Sequence, residues 1–389
     1  MSPEVATRPP PPDVASIRGA ALLPAWVDAA PPIVVVAALW ALTWLPLLLL
    51  SAVEGLAWGD AVDVPFLHDL VAQARVLVGL PVLLLGARFA RARLGEAQAM
   101  FEASDLIDDA RREAFRDVYR RAAAVVHSRA VEATALVVAV TSIIFAPLPG
   151  VAGATTWHAF EAAGREVPTL AGWWLTVVVL PLTRYLLLLW VARFVFWSVA
   201  MLRVARVGLR LHATHPDRAG GLGFVGRAHQ AFAPLVLAVS LVFMASLAND
   251  VLHRGSGVEE LKRPIAVFAG VALGVWILPM LAFTPALARL KHHALRDYDV
   301  FGAHTSRAFE RTWVADPGRD PRALLAGEDV QSLASIQEVS DTVRRIKPVP
   351  IDNMDLLVFV TVAVAPALPL VLITVPAADL GRLLRALVV

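Results

Sequence analysis

Cysteine is absent from the 389-residue chain, and lysine occurs only at positions 262, 291 and 347. Without cysteine the protein has no disulfide framework, no thiolate nucleophile, no CxxC redox pair and no cysteine-ligated zinc. The HExxH zinc motif and the GxSxG nucleophile elbow are missing as well. The sequence therefore predicts no resident metal or cofactor, and it leaves open whether the protein is an enzyme.

Charged residues are also scarce. They make up 17% of the chain, against about 25% in soluble domains, and hydrophobic residues make up 58%. The mean hydropathy is +0.64, and the pI of about 9.3 reflects an arginine bias that is typical of a GC-rich genome. This composition excludes a disordered, collagen-like or ordinary soluble protein. It predicts an all-α, polytopic helical membrane protein with no nucleic-acid partner.

Seven apolar segments reach or approach the roughly 20 residues that a helix needs to cross a bilayer. They are Ile33–Val53, Leu70–Ala87, Ala133–Leu148, Trp173–Arg193, Phe232–Ala248, Ile265–Leu287 and Leu356–Pro376. The second and third segments are short, so six spans are the alternative to seven.

The distribution of basic residues predicts the orientation. With the N-terminus inside, 26 of the 35 basic residues fall in inside segments and six fall in outside loops. The remaining three, Arg75, Arg184 and Arg193, lie within spans. The positive-inside rule therefore predicts a cytoplasmic N-terminus in a plasma membrane. Seven spans place the C-terminus outside, and six place it inside.

The chain divides into six predicted parts that alternate between membrane and cytoplasm. They are a disordered cytoplasmic leader (1–31), transmembrane helices 1–2 (32–93), a cytoplasmic helical segment (94–130), transmembrane helices 3–6 with a glycine-rich loop (131–288), a second cytoplasmic helical segment (289–355), and transmembrane helix 7 with a C-terminal tail (356–389). Apolar residues follow helical spacing within 94–130, which predicts one amphipathic helix or a helical hairpin there. No internal repeat is evident.

Two arginines at membrane depth are the most informative residues. Arg184 lies about 16 Å into the fourth span and Arg75 about 20 Å from the inner end of the second, so the two could share a depth. Because an intramembrane charge marks a functional site by default, we predict an ion pathway formed by Arg75, Arg184, His68 and Asp69. The alternatives are that Arg184 pairs with Asp69 or with carbonyls at a proline kink, and that His68 and Asp69 only cap a helix.

The loop His215–Phe224, with the sequence HPDRAGGLGF, is the strongest local motif. Its glycines permit positive φ, so consecutive backbone N–H groups could bind an anion, while a histidine and an aspartate could act as acid and base. The alternative is a packed turn in which the aspartate caps a helix. The residues predicted to take part are His215, Asp217, Arg218, Gly220, Gly221 and Gly223.

Asp329 and Gln331 lie in the second cytoplasmic segment. They could join His215 and Asp217 in a cytoplasmic polar site, although sequence cannot bring them together.

Three blocks resemble a family of uncharacterised bacterial multi-pass membrane proteins. They are the HPDRAGGLGF loop, Arg75–Pro81 with the pattern Arg-x-Leu-x-x-Leu-Pro, and Gly327–Ala334 with the pattern GxDxQSL. The likeness covers nearly the whole chain in the same order, although Ser335 stands where the family pattern has an acid. The resemblance implies a bacterial inner-membrane protein and brings no activity with it.

These features favour a channel or transporter-like protein for an anion or small anionic solute, embedded in the lipid bilayer, with a homo-oligomer left open. This hypothesis predicts a cavity that reaches Arg184. A membrane enzyme or sensor is the first alternative, and it requires His215, Asp217 and Asp329 to converge on one pocket. A membrane assembly protein is the second, and it requires a sizeable exposed apolar patch on residues 94–130.

Overall fold

A computed structural model of the chain describes residues 26–126, 128–145, 155–162, 165–254, 258–315 and 329–369. The described part is 82% helical, which confirms the all-α class. Two short strands, Ala159–Ala162 (β1) and Arg165–Pro168 (β2), pair antiparallel with Ala159 opposite Pro168. Most of the predicted leader, the start of the GxDxQSL block and residues 370–389 lie outside the described ranges.

Within the described ranges, five helices are long and apolar enough to cross a membrane. They are α1 (Pro32–Val53), α2 (Leu70–Ala103), α5 (Leu170–Val207), α6 (Gly223–His253) and α7 (Glu260–Val314). The other helices longer than four residues in the described ranges are α3 (Asp109–Val126), α4 (Arg129–Phe145), α8 (Asp329–Arg344) and α9 (Asn353–Ala367). A short helix, Trp26–Ala29, precedes α1.

The five long helices coincide with five of the seven predicted spans. The predicted third span falls on α4, which has 17 residues, and the predicted seventh span begins in α9, which is also short. The chain beyond each of these two helices, at 146–154 and from 370 onward, lies outside the described residues. The count of seven therefore stays a prediction.

Helix α2 lies at the centre of the bundle, where it packs against α1, α5 and α6. Helix α5 also packs against α3, α4 and α7, and α6 packs against α9. We call the end of the bundle beside β1 and β2 the hairpin end, and the end beside His215–Phe224 the loop end. Near the loop end α5 and α6 meet through aromatic rings, with the Phe194 and Phe232 centroids 5.2 Å apart.

Helices α2 and α5 begin with the same backbone pattern. Each starts at a residue whose side chain caps the helix, continues through a π-helical turn and then reads Leu-Pro. The corresponding elements are Asp69, Ala74–Gly79 and Leu80-Pro81 in α2, and Thr169, Leu175–Val179 and Leu180-Pro181 in α5. The sequence shows no repeat, because the shared feature is a backbone conformation and only the Leu-Pro pair is common to both. Such π-helical turns are frequent at functional sites.

Two tryptophans compensate for prolines inside the spans. Pro81 has no N–H to donate to the carbonyl of Leu77, and the indole Nε1 of Trp40 in α1 donates to that carbonyl at 3.2 Å. In the same way, Nε1 of Trp174 donates to the Leu42 carbonyl at 3.1 Å, four residues before Pro46. Free carbonyls at membrane depth are costly unless such partners exist, so these bonds fix how α1 docks on α2 and α5.

The predicted cytoplasmic segment 94–130 forms a helical hairpin, from the end of α2 at Ala103 to α3 (Asp109–Val126), and its apolar residues pack inside the protein. The Phe101 ring lies 5.3 Å from Phe115 and 4.7 Å from Phe224, and all three side chains are buried. Within 94–126 the exposed large hydrophobic residues are Met100 and Val125. Among the side chains that the structure describes in this segment, the exposed patch that the assembly hypothesis requires is therefore not found.

Candidate functional site

A cavity of about 680 Å³ lies between α2, α5 and α6 and extends to the hairpin end. It brings together Asp69, Arg75 and Arg184, three of the four residues of the predicted ion pathway. The fourth, His68, is exposed and does not line the cavity. Arg75 and Arg184 thus line one cavity, and their shared depth in a membrane stays a prediction.

Asp69 is buried, and uncharged donors occupy its carboxylate. Oδ1 accepts hydrogen bonds from the backbone N–H groups of Val71 at 3.0 Å and Ala72 at 3.2 Å, and from Nδ2 of Asn249 at 2.9 Å. Oδ2 accepts from the indole Nε1 of Trp157 at 2.9 Å. Asp69 therefore caps α2, as the helix-cap alternative predicted. Its hydrogen bonds also connect α2 to α6 and to the segment that precedes β1.

Arg184 donates from Nη1 to the hydroxyl of Ser142 in α4 at 2.9 Å. Arg75 makes no hydrogen bond or ion pair with the described residues, although its charge is close enough to interact with those of Asp69 and Arg184. Neither guanidinium has an ion-pair partner in the part of the chain that the structure describes. The alternative in which Arg184 pairs with Asp69 is thus not realised, because neutral donors hold that carboxylate.

The wall of the cavity changes character along its length. At the hairpin end it is polar, with Thr156, His158 and Asn249, and Asp250 also lies there. Toward the loop end its lining is apolar apart from Thr183 and Arg184, with Leu83, Leu187, Ala238 and Val239. A cation in such surroundings acts strongly on a nearby anion, because little water screens it. Guanidinium groups also match carboxylate and phosphate groups in shape.

Three residues around this cavity were not singled out from the sequence. Trp157 and Asn249 hold Asp69, and Ser142 holds Arg184. Asn249 and Ser142 carried a usable signal, since each is a polar residue within or beside a predicted apolar span. Trp157 carried none, because its partner lies 88 positions away along the chain.

A buried histidine near the loop end, His229, was also not identified from the sequence. Nδ1 of His229 accepts from the indole N–H of Trp197 at 3.1 Å, and Nε2 lies 2.7 Å from the Trp276 carbonyl oxygen. Because an indole only donates and a carbonyl only accepts, these partners require neutral imidazole with the proton on Nε2. His229 therefore serves as a link between α5, α6 and α7.

In the HPDRAGGLGF loop, the amides predicted to bind an anion are occupied by the chain's own carboxylate. Asp217 Oδ1 accepts from the N–H groups of Ala219 at 2.8 Å and Gly221 at 3.2 Å, and Oδ2 accepts from Gly223 at 2.8 Å. Burial raises the pKa of Asp217, but these bonds and one to His215 outweigh it and hold the pKa below its ordinary value. The three amides are therefore not free for a ligand anion.

The same loop packs against neighbouring segments at the loop end. Arg218 adopts a positive φ of 54°, and its carbonyl accepts from the Lys347 N–H at 2.8 Å. Gly220 and Gly221 also have positive φ, and Leu290 and Leu106 pack directly against them. Through these contacts the loop connects the segments at this end.

Asp329 and Gln331 are not brought to this loop. Asp329 begins α8, and Gln331 is exposed on its first turn. The other end of α8 lies near the loop, because Val343 belongs to the same apolar cluster as Ala213. Asp329 is 14 residues from Val343, or about 21 Å along the helix axis. The convergence that the enzyme hypothesis requires is therefore not found.

Compared with known proteins, the chain matches no protein-family model, no curated protein and no solved structure. The function therefore has to be argued from the cavity itself.

Proposed function

We propose that this protein is a channel or transporter for an anion in the bacterial inner membrane, with the cavity between α2, α5 and α6 as its binding site. One observation carries the proposal. Arg75 and Arg184 line one cavity at membrane depth, and neither has an ion-pair partner among the described residues. Charged groups within a membrane are costly, and by default they mark an ion pathway.

The polar hairpin end provides the route into the site. An anion that enters there passes Thr156, His158 and Asn249 before it reaches the two guanidinium groups. Asp69 and Asp250 also line this end of the cavity. Four neutral donors hold the Asp69 carboxylate, so it makes no hydrogen bond to either guanidinium, although its charge still acts on Arg75. With a cytoplasmic N-terminus, as the basic residues predict, the hairpin end faces outward. The protein's partners are then the lipid bilayer and the anion.

Anion flux into proteoliposomes tests this proposal. The assay compares uptake of labelled chloride, phosphate and benzoate by the wild type, Arg184→Gln and Arg289→Gln. Loss of a charge-assisted contact is worth about 1.5–3 kcal/mol, so we expect Arg184→Gln to lower saturable uptake of the preferred anion roughly tenfold or more. Arg289 is the matched control, because it is exposed, lies outside the cavity and bonds to the Pro285 carbonyl of its own helix.

Wild-type and variant proteins should elute alike on size exclusion, so that unfolding is not mistaken for loss of function. Equal anion flux in the wild type and Arg184→Gln would contradict the proposal.

A further inference from the structure

We infer that the anion is amphiphilic, with a negatively charged head group that binds Arg75 and Arg184 and an apolar chain that lies along the apolar part of the cavity. This inference rests on the proposed function, and it names the class of substrate. Its grounds are the size, the polarity and the shape of the cavity.

The size is the first argument. Sites for small organic molecules enclose about 300–1,000 Å³, and this cavity encloses about 680 Å³. A bare inorganic ion would leave most of that space without a partner. The volume suits an organic anion.

The polarity is the second argument. Two guanidinium groups attract a single negative head, and both can bind a carboxylate, sulfonate or phosphate through paired N–H groups. The wall next to them is apolar. Leu187 follows Arg184 by three residues on α5, and Val239 and Phe243 line the cavity from α6. Burying an apolar chain against these side chains is favourable, whereas a compact hydrophilic anion gains nothing from them.

The shape is the third argument. Helices α5 and α6 both pack on α2, but they meet each other near the loop end through Phe194, Trp197, His229 and Phe232. From there they diverge, and the cavity fills the gap. In the described part of the chain, the lining comes from α2, α5, α6 and the segments at the hairpin end. On the side of the cavity opposite α2, no helix of the described ranges contributes to the lining, and we place a lateral opening there.

Val239 stands at this opening, where it lines the cavity and is 39% exposed. An amphiphile dissolved in the bilayer can approach here with its chain still in hydrocarbon. Its head group then reaches Arg75 and Arg184 without passing through the packed apolar interior of the protein.

A homologous series of alkanesulfonates tests the inference, because a sulfonate stays ionised at every working pH. The protein is placed in nanodiscs, and binding of methanesulfonate, butanesulfonate and octanesulfonate is measured and corrected with empty nanodiscs. We expect the Kd to fall by up to about fourfold for each added methylene that becomes buried. Arg184→Gln should weaken every member of the series by a similar factor of roughly ten or more.

A second variant separates the chain from the head group. Val239→Trp fills the apolar part of the cavity, so the gain with chain length should stop earlier while methanesulfonate binds as before. Val267→Trp is the matched control, because Val267 is an exposed valine on α7 that does not line the cavity.

The outcomes distinguish the two proposals. Arginine-dependent binding that does not strengthen with chain length would overturn the inference and leave the proposed function standing. If no member of the series binds in an arginine-dependent way, the inference fails, and the flux assay with Arg184→Gln decides separately whether the proposed function stands. A chain-length gain that Val267→Trp abolishes and Val239→Trp leaves intact would also overturn the inference.

Discussion

At the scale of single residues, two carboxylates that sequence patterns place at candidate sites serve the protein itself. Asp69 accepts four bonds from neutral donors, and Asp217 accepts three from backbone amides. The consequence differs between the two places. At the loop end the amides are used up, whereas in the cavity the positive charges of Arg75 and Arg184 remain available.

The loop at Asp217 should make stability depend on acid pH. The pKa of Asp217 is lower in the folded protein than in the unfolded chain, where it is about 4. The stabilisation from its hydrogen bonds is therefore complete above about pH 4 and is lost as pH falls through the folded pKa. Asp217→Asn places a donating amide where the N–H groups also donate, so we expect a loss of about 1–3 kcal/mol at pH 7. Thermal unfolding in detergent at pH 7, 5 and 3 should show this loss shrinking at the lowest pH.

Asp60→Asn is the control for this series, because Asp60 is exposed and lies outside the loop. The wild type and Asp60→Asn should unfold at similar temperatures at each pH. A difference between the wild type and Asp217→Asn that is as large at pH 3 as at pH 7 would contradict the role assigned to the carboxylate.

At the scale of elements, the spans were predictable and their junctions were not. Hydropathy depends on local composition, so the cores of α1, α2, α5, α6 and α7 are visible in the sequence. The contacts that dock these elements on one another depend on distant partners. One example is the Val64–Thr156 bridge, which joins the segment before α2 to the segment before β1. Another is the bond from Trp40 to the Leu77 carbonyl, which needs α1 to be docked first.

The contact between the hairpin and α5 allows no side chain at Gly172. A Cβ atom there would lie 1.9 Å from the carbonyl oxygen of His158, whereas a Cβ at Gly270 in α7 would meet nothing within 4 Å. We expect Gly172→Ala to cost about 1–3 kcal/mol by overpacking. Gly270→Ala should be neutral or stabilising by up to about 1 kcal/mol, because alanine favours the helix.

Thermal unfolding in detergent measures both alanine variants. Because His158 lines the cavity, Gly172→Ala should also weaken anion binding, while Gly270→Ala should leave it unchanged. Equal melting temperatures for the two variants would show that the hairpin does not pack on α5 as described.

At the scale of the whole molecule, the candidate site was predictable only where the number of residues along a span is enough to place a side chain. Counting residues along two spans placed Arg75 and Arg184 at one depth, and both line one cavity. The same counting could not show that Asn249, 180 positions from Asp69, supplies part of the wall. The hypothesis that Asp329 shares a polar site with His215 rested on residue type alone, and the position of Asp329 at the far end of α8 does not support it. Depth follows from chain position, but lateral neighbours follow from packing among helices.

The orientation of the whole molecule is open to a direct test, because the natural chain has no cysteine. Single cysteines can be placed at Asp60 near the hairpin end and at Ser306 toward the loop end of α7, both of which are exposed. The arginine-rich segments lie toward the loop end, so the positive-inside rule places that end in the cytoplasm. We expect a membrane-impermeant maleimide to label Asp60→Cys in cells with a permeable outer envelope, and to label Ser306→Cys only after lysis.

A third cysteine, at Ala386 in the segment that the structure does not describe, decides the span count. If Ala386→Cys reacts before lysis, as Asp60→Cys is expected to do, the chain crosses the membrane an odd number of times, which fits five or seven spans. Protection of Ser306→Cys then supports seven, because without α4 as a span Ser306 would face the same side as Asp60. If it reacts only after lysis, the number is even, and one of the two short helices, α4 or α9, does not cross. Labelling of Ser306→Cys before lysis, with Asp60→Cys protected, would instead invert the molecule. In that case the polar hairpin end of the cavity would face the cytoplasm, and the anion would enter from inside.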